Sequence, residues 1–233
     1  MITGGTRGIG FAIATRLLQE GCDVMVCGCS PQSVEYARQV NRLRVIQADL
    51  NNSNHIQRLA AAVQGELSGL DLLINNAGIQ LETDFMTGAE DEAIRREVTV
   101  NLLSPMLLTA HLLPLLLNAD GGTVVNVSSG LGYAPSKRVP VYSGVKAGLS
   151  AWTTALRGQL RSTPVNVVEL IPPLVKTDMT LGRQKNAIEP EAVADALVEG
   201  LWRGKNKIVA GKSRLLLPIA RFAPRLARRI FNK

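Results

Sequence analysis

Four residues have the types and spacing to move a proton to or from a carbonyl oxygen: Tyr142, Lys146 on the next helical turn, Ser129 upstream, and Asn101 further back. A spacing of four places a tyrosine and a lysine on one face of a helix. An ammonium held near a phenol favours the phenolate and lowers a pKa that starts at about 10. A tyrosine biased in this way donates and accepts protons near neutrality, as carbonyl–alcohol interconversion requires. Taken singly, each residue has a plainer reading. Ser128-Ser129 could be turn chemistry at a strand end, and Asn101 could satisfy backbone inside a helix.

A second group sits at the start of the chain. Thr3-Gly4-Gly5-Thr6-Arg7-Gly8-Ile9-Gly10 precedes a helical pattern beginning at Phe11. Glycines let the backbone turn sharply and approach a pyrophosphate, while a helix N-terminus supplies amide donors and a favourable dipole. The spacing of Gly4, Gly8 and Gly10 is not G-x-G-x-x-G, and no Walker lysine follows. By itself the loop reads equally well as a tight structural turn.

Repeated strand–helix alternation must position both groups. Val24–Cys27, Leu43–Ile46, Leu72–Ile74, Val124–Val127 and Val165–Leu170 are short apolar strands. Helical periodicity runs through Ile9–Gln19, Ile56–Leu67, Asp91–Leu117 and Val141–Arg161, with a further helix expected after Ile188. Near-continuous apolar strands point to an α/β fold, a doubly wound parallel sheet covered on both faces and joined by right-handed crossovers. One domain is expected over residues 1–212, with a basic tail over 213–233 packing on it or on a partner. Only Met1 and Ile2 precede the glycine-rich loop, so the first strand is expected to be a truncated stub or the sequence to begin late. A sheet lacking its middle strand would leave neighbouring edges unpaired.

These motifs together resemble the short-chain dehydrogenase/reductase family. The resemblance rests on Thr3-Gly4-x-x-x-Gly8-x-Gly10, then Asn75-Asn76-Ala77-Gly78, Asn101, Ser129 and Tyr142-x-x-x-Lys146, in family order over nearly the whole chain. It implies a Rossmann-type fold and an NAD(P)-dependent oxidoreductase acting on a carbonyl or secondary alcohol. It makes Tyr142 the general acid–base, with Lys146 on the nicotinamide ribose, Ser129 on the substrate oxygen, and Asn101 holding a water that links Lys146 to solvent. It assigns the cofactor to Thr3, Gly4, Thr6, Arg7, Gly8, Ile9 and Gly10, with Asp49 and Leu50 at the adenine and Asn76, Ala77 and Gly78 under the riboses. Val175 and Thr177 would contact the carboxamide, although Pro173 stands where the family has glycine and so removes an amide donor. Asn75 could instead be a sheet-end hydrogen-bonding residue, and Asp49 a cap for the helix near Ser53. Pro172-Pro173 with Asn-Asn-Ala-Gly-Ile-Gln is similar to the DltE-like branch.

Cofactor choice can be argued from charge. NAD sites of this kind place a carboxylate near the end of the second strand, but here that stretch reads Cys27-Gly28-Cys29-Ser30. Arg7 stands where it could pair with a 2′-phosphate, so NADP(H) is favoured, with NAD(H) the alternative. The short segment Asp178–Ile188 is expected to form a mobile cover in which Arg183 and Lys185 could meet an acidic substrate.

Composition excludes several classes. With 46% hydrophobic and 4% aromatic residues the core is aliphatic. The apolar run Met106–Leu117 is interrupted by Thr109, His111 and Pro114 and is too short to span a bilayer. Clustered Cys22, Cys27 and Cys29 suggest buried free thiols in a reducing cytoplasm, with no metal site. The net charge of +7 belongs to the C-terminal end, since ten Lys or Arg and no acidic residue lie between Arg203 and Lys233. That tail could cover the chain itself, pack on a partner or lie on an anionic membrane; nothing aromatic-rich suggests nucleic acid. Apolar stripes through Leu107, Leu108, Leu112, Leu116, Leu149 and Leu156 suit a homodimer or homotetramer and also suit ordinary core packing. The competing functions are a dinucleotide-binding sensor or scaffold without turnover and a membrane-associated reductase.

Overall fold

The chain alternates β1 (Ile2–Thr3), α1 (Gly8–Gln19), β2 (Val24–Gly28), α2 (Pro31–Arg38), β3 (Leu43–Gln47), α3 (Ser53–Glu66) and β4 (Leu72–Asn75). It continues through α4 (Asp91–Val98), α5 (Ser104–Asn118), β5 (Thr123–Val127), α6 (Pro140–Gln159), β6 (Asn166–Ile171), α7 (Pro190–Trp202) and β7 (Lys207–Val209). The computed structural model describes residues 1–67 and 69–211, so the expected basic tail lies outside the described residues. All strand pairs are parallel, in the order β3-β2-β1-β4-β5-β6-β7. The chain leaves β1 toward one edge and β4 toward the other. A crevice therefore opens beyond the carboxyl ends of these two strands, where ligands of doubly wound folds bind.

Alternation within each strand builds two cores. Val24 and Val26 of β2 pack on one face with Ile13 and Leu17 of α1 and Leu197 of α7. Met25 and Cys27, one residue out of phase, pack on the other with Ile56 of α3, Leu112 of α5 and Leu156 of α6. Burying each of these aliphatic side chains contributes about 1.5–3 kcal/mol.

β1 is the stub expected, yet it fills the middle of the sheet. Ile2 pairs with Val26 on one side and Ile74 on the other, Thr3 pairs with Cys27, and the Ile74 amide donates to Met1 O at 2.8 Å. These few pairs join β2 to β4 through β1. β7 escapes a sequence reading because three residues carry no periodicity; its register with Glu169–Ile171 makes it a strand.

The helix expected over Asp91–Leu117 forms, while the readings of its apolar run and of the cysteines change. α4 and α5 join through a wider, π-helical turn at Thr99–Leu103, giving one helix from Asp91 to Asn118 that runs through Thr109, His111 and Pro114. By length and composition it could cross a bilayer, but Leu108, Leu112 and Leu116 are buried in the protein's own core. With Leu149 and Leu156 also buried there, most of the stripe offered for subunit pairing is spent within the chain, and Val98, Leu103 and Leu117 form the outward apolar surface. Of the cysteines only Cys27 is buried, its thiol pushed up to about 12 by desolvation; Cys22 and Cys29 are exposed.

Candidate active site

α6 presents Tyr142 and Lys146 one turn apart, both buried. Pro140 at the start of α6 suits a position whose amide needs no helical partner. Lys146 Nζ lies 5.6 Å from the centre of the Tyr142 ring and donates to Val127 O at 2.9 Å, at the end of β5. Ser129, two residues past that strand, draws the Tyr142 phenol toward ionisation, and its Oγ accepts from Leu131 N at 3.2 Å.

The loop bearing Ser129 is anchored from below. Ser128 Oγ donates to Glu169 Oε1 at 2.7 Å, and Tyr133 OH reaches both oxygens of the same buried carboxylate at 2.9 and 2.8 Å. Lys207 completes that cluster, 3.6 Å from Glu169 Oε2 and 4.5 Å above the Tyr133 ring. Neither Glu169 nor Tyr133 belongs to a sequence motif. Only the pairing of β5 with β6 brings them beneath the loop.

Asn101 occupies the π-helical turn and has no exposed surface. Its Oδ1 accepts from Ile79 N at 3.1 Å, and its Nδ2 donates to Ile79 O at 2.8 Å and to Glu97 O at 2.9 Å. The side-chain amide is thus engaged with backbone, clamping the segment after Gly78. A Cβ built on Gly78 would lie 2.7 Å from Asn101 Oδ1 and 3.7 Å from Lys146 Nζ, so the two residues face each other across that glycine.

Burial dominates the electrostatics. Desolvation pushes the Tyr142 phenol up to about 12; Ser129 opposes this, the Glu97 charge adds to it, and Arg183 opposes it. Lys146 is drawn down to about 8 by burial, with Glu97 pulling it back up. The expectation that Lys146 lowers the phenol is therefore not met. The ammonium points at Val127 O, and loss of water around the hydroxyl outweighs every favourable charge.

Beyond this cluster a cavity of about 810 Å³ follows the crevice from Cys29, Ser30 and Asp49 at one end to Tyr142 and Lys146 at the other. Its floor is the glycine-rich loop. Gly8 has φ +54°, a left-handed conformation, and a Cβ on Gly10 would collide with Gly4 O. Asn76 ties the loop down, its Nδ2 donating to Thr3 O at 2.9 Å and Gly4 O at 3.1 Å, while Thr3 Oγ1 accepts from the amides of Asn76 and Ala77. Gly4, Thr6, Ile9, Leu50, Ala77 and Gly78 all line the cavity as expected. This shape suits a dinucleotide: backbone approaches closely where a pyrophosphate would lie, and any side chain at Gly10 would push Gly4 and Asn76 out of place.

Other expected residues are placed differently. Thr3 and Asn76 act on the loop more than on its contents, through the hydrogen bonds just given. Asp49 lines the cavity, but its Oδ1 accepts from Asn51 N, and the cap of α3 is Asn52, so the capping alternative for Asp49 falls. Asn75 is buried, donating to Thr109 Oγ1 and Asn126 Oδ1, which is the sheet-end role. Val175 packs into the core beside α7, leaving Thr177 under Gly8 at the cavity wall. Arg7 reaches across the cleft to Asp178 at 3.2 Å, both side chains exposed. The segment expected to be a loose cover is fastened at its base by parallel bridging of Val175 with Ile188, and Arg183 Nη2 donates to Gln80 Oε1 at 2.6 Å. Among the described residues no group of three or more His, Cys, Asp or Glu is placed to hold a metal ion.

The family model for short chain dehydrogenases matches residues 1–187. The chain belongs to this family. It is 35% identical over 216 residues to the uncharacterized oxidoreductase DltE of Bacillus subtilis, covering 89% of this chain and 86% of that protein. A short-chain dehydrogenase from Burkholderia cenocepacia, solved in complex with NADP, superposes with a TM-score of 0.86 at 23% identity, covering 100% of this chain and 96% of that one. The closed form of a serine dehydrogenase complexed with NADP+ gives a TM-score of 0.80 at 25% identity over 89% of this chain and 92% of that one. Within this short-chain dehydrogenase, sequence reasoning found the loop and the Ser–Tyr–Lys cluster. It passed over Glu97, Gln80 and the Glu169 anchor, which become neighbours of the site only through the fold.

Proposed function

We propose that this chain is an NADP(H)-preferring oxidoreductase that interconverts a carbonyl and a secondary alcohol. One observation carries the reading: a buried tyrosine with a lysine on the next turn closes the end of a cavity whose floor is a glycine-rich loop at a helix N-terminus. The serine dehydrogenase neighbour was solved with NADP+, and no carboxylate lies between Cys27 and Ser30, which supports NADP over NAD. Arg7, beside the loop, would hold the 2′-phosphate, and Lys146 the nicotinamide ribose. The nicotinamide, when bound, supplies the hydride chemistry. The chain's own residues orient the substrate and manage its proton: Ser129 donates to the carbonyl oxygen, and Tyr142 passes its phenolic proton to that oxygen as charge develops there.

A phenol pushed up to about 12 by burial holds its proton at neutral pH, the form that the acid role in reduction requires. Oxidation needs the phenolate, and its rate should climb as pH rises. The outward surface bearing Val98, Leu103 and Leu117 suits pairing with a second copy of the chain. Free thiols at Cys22, Cys27 and Cys29 suit a reducing compartment such as the cytoplasm.

The test is NADPH and NADH oxidation against ketones, aldehydes and 3-oxoacyl thioesters, with wild type and Tyr142→Phe. The expected result is NADPH-dependent turnover that falls by about 10³-fold in the Phe variant with cofactor affinity retained. Turnover surviving in that variant would remove Tyr142 from the chemistry. Tight NADPH binding without turnover by the wild type would leave a dinucleotide sensor.

A further inference from the structure

Glu97 is an unusual residue to find with no exposed surface. α4 reads Asp-Glu-Ala-Ile-Arg-Arg-Glu-Val, and nothing in that string separates Glu97 from a solvated surface acid. Burying a carboxylate is costly unless it is paired and hydrogen-bonded. Here Oε1 accepts from Leu81 N at 3.1 Å, while Oε2 is buried with no hydrogen-bond partner. The residue is tied into the site from two sides: Leu81 lies just past the Gly78–Gln80 stretch that borders the cavity, and Glu97 O accepts from Asn101 Nδ2 at 2.9 Å.

α4 packs directly on α6, the helix bearing Tyr142 and Lys146. Glu97 acts electrostatically on both, and Lys146 is the charged group acting on Glu97 in return. Arg183, from the segment after β6, draws the phenol down where Glu97 holds it up. Burial raises the Glu97 carboxyl, and the Leu81 amide and Lys146 draw it back toward ionisation.

We propose that Glu97 is a positioning residue of the proton-transfer site, a buried carboxylate on the helix packed against α6 that supplies the negative charge behind Lys146 and Tyr142. The inference rests on the reading of Tyr142 as the proton donor. Without a negative charge behind it, a buried ammonium tends to shed its proton and a buried phenol ionises more readily. Glu97 thereby opposes the neutralisation that burial would otherwise impose on Lys146, and it widens the pH range over which Tyr142 can donate. A glutamine at this position preserves shape and the acceptor for Leu81 N but removes the charge.

The experiment compares wild type, Glu97→Gln and Glu97→Asp in the presence of NADP+, following phenolate absorbance against pH with Tyr142→Phe as the blank. In parallel, kcat/KM for reduction is recorded across pH. The expected outcome is that the Tyr142 midpoint and the alkaline limb of reduction both move acidward by about one pH unit in the Gln variant. The Asp variant, which keeps the charge, should shift by less than half as much. A Gln variant that folds but leaves both midpoints in place overturns the inference, even if kcat falls, because packing alone would do that. Should the Gln variant fail to fold, Glu97→Asp takes its place: the carboxylate is withdrawn by one methylene, an acidward shift is still expected, and an unmoved midpoint overturns the inference. The absorbance titration needs no turnover, so it tests Glu97 even if the proposed reductase activity fails.

Discussion

The two ends of the crevice are built on opposite principles. At the Tyr142 end the working side chains are buried and held by backbone: Asn101 makes three hydrogen bonds, Lys146 donates to Val127 O, and Glu97 accepts from Leu81 N. At the other end Arg7, the side chain proposed to meet the 2′-phosphate, is 65% exposed and held by one exposed partner, Asp178. A surface pair of this kind contributes between about zero and 1 kcal/mol. The buried end couples reactivity to the stability of the fold, whereas the exposed end can change its preference without disturbing the fold. Chemistry is therefore expected to be rigidly encoded here and cofactor selectivity loosely encoded.

The largest effect that could break this comparison is Asn101→Ala. Removing the amide takes the side-chain partner from the part-buried Ile79 N–H and C=O and from the buried Glu97 C=O, and each unsatisfied buried group costs about 1–3 kcal/mol. A loss of about 3 kcal/mol lowers Tm by roughly 10 °C in a chain of this size, readable by calorimetry. Activity should fall with it, because the segment from Gly78 to Leu81 carries both the cavity wall and the anchor of Glu97. A variant with unchanged Tm and lowered kcat would show that chemistry and fold stability are separable at this end.

The same contrast explains what could be read from the sequence. Tyr142 and Lys146 are legible because helical spacing fixes their shared face, and the loop of Gly4, Gly8 and Gly10 is legible because only glycine tolerates such turns and approaches. β1 is legible as a stub; its ability to complete the sheet with two residues is a matter of register, which sequence does not carry. The direction of the Tyr142 shift is misjudged from sequence because proximity to lysine is visible there and desolvation is not. Glu97 is hidden for the same reason. It sits beside Arg95 and Arg96 in a polar helix, and its burial arises only when the segment at Ile79–Leu81 folds back over it. The cysteines mislead in the opposite sense, since clustering in sequence puts Cys27 in the core and leaves Cys22 and Cys29 outside.

A smaller effect sharpens the comparison at the other end. Arg7→Ala should raise KM for NADPH by about tenfold, the scale of one charge-assisted hydrogen bond, and leave KM for NADH within twofold. Its Tm should stay close to that of wild type, because the side chain is exposed and its pairing with Asp178 contributes little. The NADPH effect should shrink as salt is added, as expected for an exposed charge. Equal losses with NADPH and NADH would mean that Arg7 shapes the loop and does not read the phosphate, and the selectivity argument would fail.

The smallest expected effect runs in the favourable direction. Asp178 occupies Arg7 now, and a phosphate arriving there must displace a carboxylate and tolerate its charge nearby. Asp178→Asn removes the competition and the repulsion together, so KM for NADPH should fall by about two- to fourfold, within the range of one exposed ion pair. KM for NADH, which brings no 2′-phosphate, should not move. Asp178 also opens the short turn Asp178–Thr180, whose capping hydrogen bonds come from Thr177 and Thr180, so the amide should leave that turn intact. If Asp178→Asn weakens NADPH binding, Asp178 is aligning Arg7 for the phosphate, and the exposed end is more closely organised than its solvent exposure implies.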